Sequence, residues 1–150
     1  MSALRELYQE VILDHNKSPR NFRKIENPTR MVEGFNPLCG DHYTVYVVLE
    51  DDTIKDLSFE GAGCAISKAS ASVMGSLVKG KTKAEVKKLF DVFHRLVTGS
   101  PDGEAYAEQF GKLAPFAGVS EFPARVKCAT LAWHTLKAAM ETEQKSVTTE

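Results

Sequence analysis

The sequence is short of several features that would place it in a large class of proteins. It contains three cysteines among 150 residues, and no two of them form a C-x-x-C pair. An odd number of widely spaced cysteines argues against a disulfide framework, and the missing C-x-x-C spacing argues against a generic zinc finger. The thiols are therefore buried small side chains, metal ligands or reactive groups.

Long apolar runs and an excess of charge are also missing. No apolar stretch approaches the ~20 residues that span a bilayer, and the first residues form no apolar signal region. The formal net charge is -1, and no RNA- or DNA-binding motif is present. We therefore expect a cytoplasmic protein with no membrane and no nucleic-acid partner, since a reducing compartment suits free thiols.

The chain does contain enough apolar residues for a core. Its length and its hydrophobic content of 43% predict a single domain over residues 1–150. Alternating apolar residues predict three strands, at about 31–35, 43–49 and 53–59, the last two joined as an antiparallel hairpin. Helical periodicity precedes these strands, at about 4–16.

Helices are also predicted after the strands. One follows Cys64, one begins at a capping box formed by Thr82 and Glu85, a short one covers about 104–113, and a long one runs from Pro123 to about residue 143. The polar residues 144–150 are expected to fray. This order predicts an α+β fold, with a small antiparallel sheet of about three strands and helices packed on it.

The first cysteine lies next to an acidic residue in a turn-like segment. Cys39 and Asp41 are two positions apart, so in extended backbone their side chains share a face. Gly40 between them permits an unusual turn. His42 falls on the opposite parity and is a poorer candidate for the same site.

The other two cysteines lie where helices are predicted to begin. Cys64 follows Gly61-Ala62-Gly63, and Cys128 lies in the first turns of the last helix. A helix N-terminus favours negative charge, which suits a thiolate. Three thiols with the Asp41 carboxylate make a four-ligand set for Zn²⁺, although soft thiolates also suit iron or an iron–sulfur cluster. His134, six positions after Cys128, is about 240° around the helix and should not face this site.

Together, the three cysteine segments resemble a known family. Cys39-Gly40-Asp41, Gly-Ala-Gly-Cys64 before a Ser/Ala helix, and Lys127-Cys128 occur in the order seen in iron–sulfur cluster assembly proteins of the IscU/NifU N-terminal type. The resemblance extends from Leu7 to about Met140. It implies the IscU/SufE-like fold.

Two departures make the SufU branch the better match. In the IscU branch a histidine precedes the third cysteine and a Leu-Pro-Pro-Val-Lys segment serves a chaperone, whereas this chain has Lys127 and Glu121-Phe122-Pro123-Ala124-Arg125. An extra stretch at about 93–118 also resembles SufU. Members of that branch bind zinc through three cysteines and one aspartate, and they accept persulfide sulfur from a cysteine desulfurase.

The resemblance therefore implies a set of roles. The metal ligands would be Cys39, Asp41, Cys64 and Cys128, with Cys39 as the catalytic sulfur acceptor and Zn²⁺ as cofactor. Apart from the resemblance, Arg125, three residues before Cys128, is an auxiliary candidate that would pair with Asp41 or with the persulfide, and Lys127 is a second auxiliary candidate. The chain would act as a zinc-dependent sulfurtransferase, with a cysteine desulfurase and downstream iron–sulfur assembly proteins as partners.

Two alternatives stay open on the sequence. The same residues would suit a scaffold on which a transient [2Fe–2S] cluster is built and transferred, in which case the site would carry iron or the cluster instead of zinc. They would also suit a binding module with structural zinc. Structural zinc contributes on the order of 10 kcal/mol to folding, so in that case losing Cys39 should unfold the protein.

Overall fold

The computed structural model of the chain describes residues 2–37, 39–99, 111–141 and 146–148. The elements in chain order are α1 (Ser2–Lys17), β1 (Arg30–Asn36), β2 (Asp41–Glu50), β3 (Thr53–Ala62), α2 (Ala65–Val78), α3 (Lys83–Thr98), a 3₁₀ helix (Gly111–Glu121), α4 (Pro123–Glu141) and β4 (Ser146–Thr148). Among the described helices, none has the length and apolar character that a membrane span requires.

The sheet has the order β3-β2-β1-β4. β1 pairs antiparallel with β2, and β2 pairs antiparallel with β3, which confirms the predicted three-stranded antiparallel sheet. β4 adds a short fourth strand, parallel to β1, so the expected fraying is wrong for Ser146–Thr148. This Ser-Val-Thr segment has two β-branched residues, and β1 offers it backbone hydrogen-bonding groups.

One face of the sheet is covered by helices. α4 packs against β1 and β2, and α2 packs between α1 and α4. Several small residues of α2 are buried in the fold, among them Ala69, Ala71 and Gly75. The largest fully buried side chains come from the sheet and from α2, α3, α4 and the 3₁₀ helix: Tyr43, Phe59, Phe93, Phe116, Trp133, Ile54, Leu57, Met74, Leu113, Leu131 and Leu136.

The helix boundaries follow recognisable end signals. The Thr82 side chain accepts from the Glu85 backbone N–H, and the Glu85 side chain accepts from the Thr82 N–H, which confirms the predicted capping box. Gly99 ends α3 in the left-handed conformation, with φ 82°. Most of the helix predicted at 104–113 lies outside the described residues, and the 3₁₀ helix begins at Gly111.

Candidate metal centre

The turn between β1 and β2 presents Cys39 to solvent. The carbonyl of Asn36, the last residue of β1, accepts hydrogen bonds from the backbone N–H groups of Cys39 (3.2 Å) and Gly40 (2.9 Å). Gly40 has φ 73°, a left-handed conformation that a glycine adopts without strain. The thiol of Cys39 is exposed as a result.

Asp41, the first residue of β2, turns into the protein. Its side chain is 1% exposed. Oδ1 accepts from the Cys64 backbone N–H at 2.9 Å, and Oδ2 accepts from Asn36 Nδ2 at 3.2 Å. The carboxylate is thus held by two neutral N–H donors in a buried position, a setting in which a cation is the natural counter-charge.

As predicted from the alternation of side chains along a strand, Asp41 and His42 point to opposite faces of the sheet. His42 points to the other face of the sheet, where it contacts Glu33 Oε1 at 3.3 Å and stacks on Phe35. The reasoning for Cys39 needs correction, however, because that residue lies in a turn and not in extended backbone. The turn, rather than strand alternation, brings its thiol to the carboxylate.

Cys64 is the N-cap of α2. Its sulfur accepts from the Ser67 backbone N–H at 3.4 Å, and the Ser67 hydroxyl donates to the Cys64 carbonyl at 3.0 Å. Ser67 Oγ also lies 2.9 Å from the hydroxyl of Tyr43, which is fully buried. Burial raises the pKa of Tyr43, so this phenol stays neutral. These contacts hold the start of α2 against β2.

Gly63 is required where this helix start approaches the carboxylate. A Cβ at this position would lie 2.5 Å from Asp41 Oδ1, 2.5 Å from Ser67 Oγ and 2.6 Å from the Tyr43 hydroxyl. All three neighbours are buried polar side chains with defined hydrogen bonds. The absent side chain therefore leaves the space in which the Asp41 carboxylate sits.

Cys128 supplies the buried thiol of the site. It lies in the second turn of α4 with 0% exposure, and its Sγ is 3.2 Å from Cys39 Sγ. Asn36 Nδ2 donates to Cys128 Sγ at 3.4 Å. Burial raises the pKa of Cys128, and its hydrogen bond with Cys39 and the negative charges of Cys64 and Asp41 raise it further. A nearby cation would reverse that effect.

Arg125 brings positive charge to the thiols. Interaction of this exposed residue with the Cys128 thiol, together with the negative charges of Cys64, Cys128 and Cys39, raises the pKa of its guanidinium. Its predicted pairing with Asp41 or with a persulfide stays a prediction. Lys127 is half-buried on α4, and its predicted auxiliary role also stays a prediction.

The structure gathers three of the four predicted ligands closely. One potential ligand atom from each of Cys39, Asp41 and Cys128 lies within 4.8 Å of the other two. The sulfur of Cys64 stands outside this group, although the backbone N–H of Cys64 donates to Asp41. The four residues border one small region, between the β1–β2 turn and the starts of α2 and α4.

The donor set fits a soft divalent cation. Thiolates and a carboxylate are established Zn²⁺ ligands. Two thiolates on a tetrahedral zinc, each about 2.3 Å from the metal, are about 3.8 Å apart. Cys39 and Cys128 are 3.2 Å apart, so their sulfurs would have to separate by a fraction of an ångström. The exposed Cys39 turn permits that small movement more readily than the core around Cys128.

The histidines take no part in this cluster. His134 packs edge-on against Phe90 with ring centroids 5.2 Å apart, and His15 Nδ1 lies 2.7 Å from Ser72 Oγ. The prediction that His134 faces away from Cys128 is confirmed. The residue that sequence reasoning missed is Asn36, which touches both Asp41 and Cys128. Its place directly before Pro37 suggests only a turn, and its pairing with Asp41 emerges once the hairpin register is known.

Comparisons with known proteins find related sequences over most of the chain. The model of the NifU-like N-terminal domain family matches residues 7–129. An iron–sulfur cluster assembly scaffold protein IscU from Streptococcus pyogenes serotype M1 is 39% identical over 94% of this chain and 87% of its own length. The zinc-dependent sulfurtransferase SufU of Bacillus subtilis is 38% identical over 92% of each chain.

A solved structure agrees with the fold as well. It is a crystal structure of a protein assigned as an iron–sulfur cluster assembly scaffold for the SUF system, from Fervidobacterium islandicum AW-1. Its TM-score is 0.81 at 39% identity, over 88% of this chain and 95% of that one. The family match covers all three cysteine segments and most of the chain. This chain belongs to the NifU-like N-terminal domain family.

Proposed function

We propose that this protein is a zinc-dependent sulfur acceptor in iron–sulfur cluster assembly. Cys39 takes the terminal sulfur of a persulfide on a cysteine desulfurase and hands it to downstream assembly proteins. The observation that carries the proposal is the asymmetry of two touching thiols, one exposed in a turn and one buried on a helix. The similarity to a relative named as a zinc-dependent sulfurtransferase supports it.

Four side chains would hold the metal: Cys39, Asp41, Cys64 and Cys128. Bound zinc would keep the cysteine sulfurs deprotonated and protect them from oxidation. Asp41 is fixed by two N–H donors, and Cys64 is fixed as a helix cap. Three free cysteines suit a reducing cytoplasm, which is where we propose that the protein acts.

The transfer itself is a thiol exchange. The Cys39 thiolate attacks the outer sulfur of the partner's persulfide, so that a new S–S bond forms on Cys39 Sγ. The S–S bond of the partner breaks, and the partner's cysteine leaves as a thiolate. No external oxidant or reductant is needed, because one persulfide replaces another. Arg125, whose guanidinium interacts with the cysteine side chains, would place its positive charge near the anionic sulfur that results.

A desulfurase assay that compares the wild-type chain with the Cys39→Ser variant tests the proposal. The cysteine desulfurase of the same organism is mixed with cysteine, a reductant and either the wild-type chain or Cys39→Ser, and sulfide release is measured. We expect Cys39→Ser to leave the desulfurase at its rate without the acceptor. Stimulation by Cys39→Ser equal to that by the wild type would contradict the proposal.

A second candidate is the cluster scaffold. The same soft donors suit a [2Fe–2S] cluster, and the relative from S. pyogenes is named as a scaffold. Anaerobic reconstitution with iron and sulfide separates the two functions. A sulfur acceptor whose site is filled by zinc should form no stable visible chromophore, whereas a scaffold should form one.

A further inference from the structure

Asn36 lies at the centre of the candidate site without being one of the predicted ligands. It is the last residue of β1 and is 0% exposed. Its main-chain carbonyl closes the turn that carries Cys39, through the N–H groups of Cys39 and Gly40. One residue therefore contacts the turn with its backbone and two other site residues with its side chain.

The side-chain amide of Asn36 joins strand β2 to helix α4. Its Nδ2 donates to Asp41 Oδ2 at 3.2 Å and to Cys128 Sγ at 3.4 Å. An amide nitrogen carries two hydrogens, so this arrangement uses both. The two acceptors are 87 positions apart in the sequence and come from different layers of the fold, so Asn36 sets the distance between them.

The orientation of the Asn36 side chain has an energetic cost, which arises at its amide oxygen. Asn36 Oδ1 is buried and has no hydrogen-bond partner in the described part of the chain. Exchanging the nitrogen and oxygen would place an oxygen against the Asp41 carboxylate, which is repulsive, so the orientation is fixed by the site. A buried acceptor without a partner opposes folding. Its presence here points to a role at the site rather than a contribution to stability.

Building on the proposed function, we infer that Asn36 is a positioning residue. It holds Asp41 and Cys128 as the fixed half of the metal site, which confines ligand exchange to Cys39. Asp41 and Cys128 are both buried and both bonded to the same amide, whereas Cys39 is exposed and its sulfur contacts Cys128. The amide thereby fixes the position of the Cys128 thiol and leaves the Cys39 thiol free to react.

The test compares Asn36→Ala with a packing control, Ser70→Ala. Asn36→Ala removes both donated bonds and leaves the main-chain carbonyl in place. Ser70 is also 0% exposed and ties α2 to α4 beside the site, because its Oγ donates to the Ala129 carbonyl and accepts from Trp133 Nε1. The control therefore removes two buried bonds next to Cys128 without touching a predicted ligand. Asn36→Val, which keeps more volume, serves if the alanine variant does not fold.

Two readouts independent of sulfur transfer are measured. Co²⁺ affinity, by competition with a chelator, should be about 10- to 100-fold weaker in Asn36→Ala, with altered thiolate-to-cobalt absorption. Alkylation of the metal-loaded protein, mapped by mass spectrometry, should modify Cys39 first in the wild type but Cys39 and Cys128 together in Asn36→Ala. Ser70→Ala should match the wild type in both.

The outcomes separate this inference from the proposed function. Wild-type Co²⁺ affinity, spectrum and labelling in Asn36→Ala would overturn it, even if Cys39→Ser had lost sulfur acceptance. Equal losses in Asn36→Ala and Ser70→Ala would also overturn it, since they would indicate packing alone. Selective loss in Asn36→Ala supports it whatever the desulfurase assay gives.

Discussion

Cys39 and Cys128 have sulfurs 3.2 Å apart and yet belong to different kinds of structure. Cys128 is carried by a 19-residue helix whose neighbouring side chains form the core, and it is 0% exposed. Cys39 is carried by a short turn closed by one carbonyl, and it is exposed. The fold thus places a buried thiol next to one on an exposed turn.

Under the proposed function, this difference suggests how one small site would perform two tasks. Metal retention needs donors whose positions do not change, and the buried Asp41 and Cys128 meet that need. Sulfur acceptance needs a nucleophile that a partner protein reaches, and an exposed turn meets that need.

The largest expected effect is on stability, and it comes from changing each of the two cysteines, Cys39 and Cys128, to serine. In metal-free protein, Cys128→Ser places a hydroxyl in a buried setting beside Asn36 and should cost about 1–3 kcal/mol of unfolding free energy. Cys39→Ser changes an exposed side chain and should stay within about 0.5 kcal/mol of the wild type. Urea denaturation with a chelator present measures both, and equal losses would mean that the two environments do not differ in energy.

A smaller effect is expected at the fixed half of the site, from Gly63→Ala. The new Cβ would press on Asp41 Oδ1, Ser67 Oγ and the Tyr43 hydroxyl. Because these buried, hydrogen-bonded groups must shift to admit the new Cβ, we expect a loss of about 1–2 kcal/mol, in the lower part of the range for overpacking, together with weaker Co²⁺ binding. Gly118→Ala is the control, since a Cβ there meets nothing within 4 Å. Unchanged Co²⁺ binding in Gly63→Ala would show that Asp41 needs no such space.

The smallest expected effect concerns the scaffold, away from both thiols. Burial is the main cause that lowers the pKa of His15, with the nearby charge of Arg20 adding to it, and the ring lies against Ser72 of α2. A lowered histidine pKa means that the unfolded chain binds the proton more readily. The associated stability is therefore complete above about pH 6.5 and is lost as the pH falls through the folded-state value.

The matching measurement is the unfolding free energy of metal-free protein at several pH values between neutral and mildly acidic. His15→Gln should flatten the decline, and Cys39→Ser should leave its slope unchanged. His134, whose pKa is also lowered mainly by burial, should account for part of the slope that remains. An unaltered slope of unfolding free energy against pH in His15→Gln would show that His15 does not contribute to this pH dependence.

Local signals in the sequence predicted much of the framework. The hairpin of β2 and β3 follows from alternating β-branched residues, and the start of α3 follows from Thr82 and Glu85. The assignment of Asp41 to the inner face follows from its parity within β2. Each of these features depends on residues that lie close together in the chain.

Features that depend on distant partners were missed. Asn36 gains its significance from Cys128, 92 positions away, and no local pattern reports such a contact. The polar composition of residues 144–150 predicts a frayed end, whereas the stability of β4 comes from the open edge of β1 rather than from its own composition.

The central claim is that sulfur arrives on Cys39 and on no other thiol. Its most direct test is to mix the metal-loaded wild-type chain with the desulfurase and cysteine, quench with an alkylating agent and map each cysteine by mass spectrometry. The proposed function predicts one additional sulfur atom on the peptide that carries Cys39, with Cys64 and Cys128 unmodified by sulfur. A persulfide found first on Cys64 or Cys128 would contradict it.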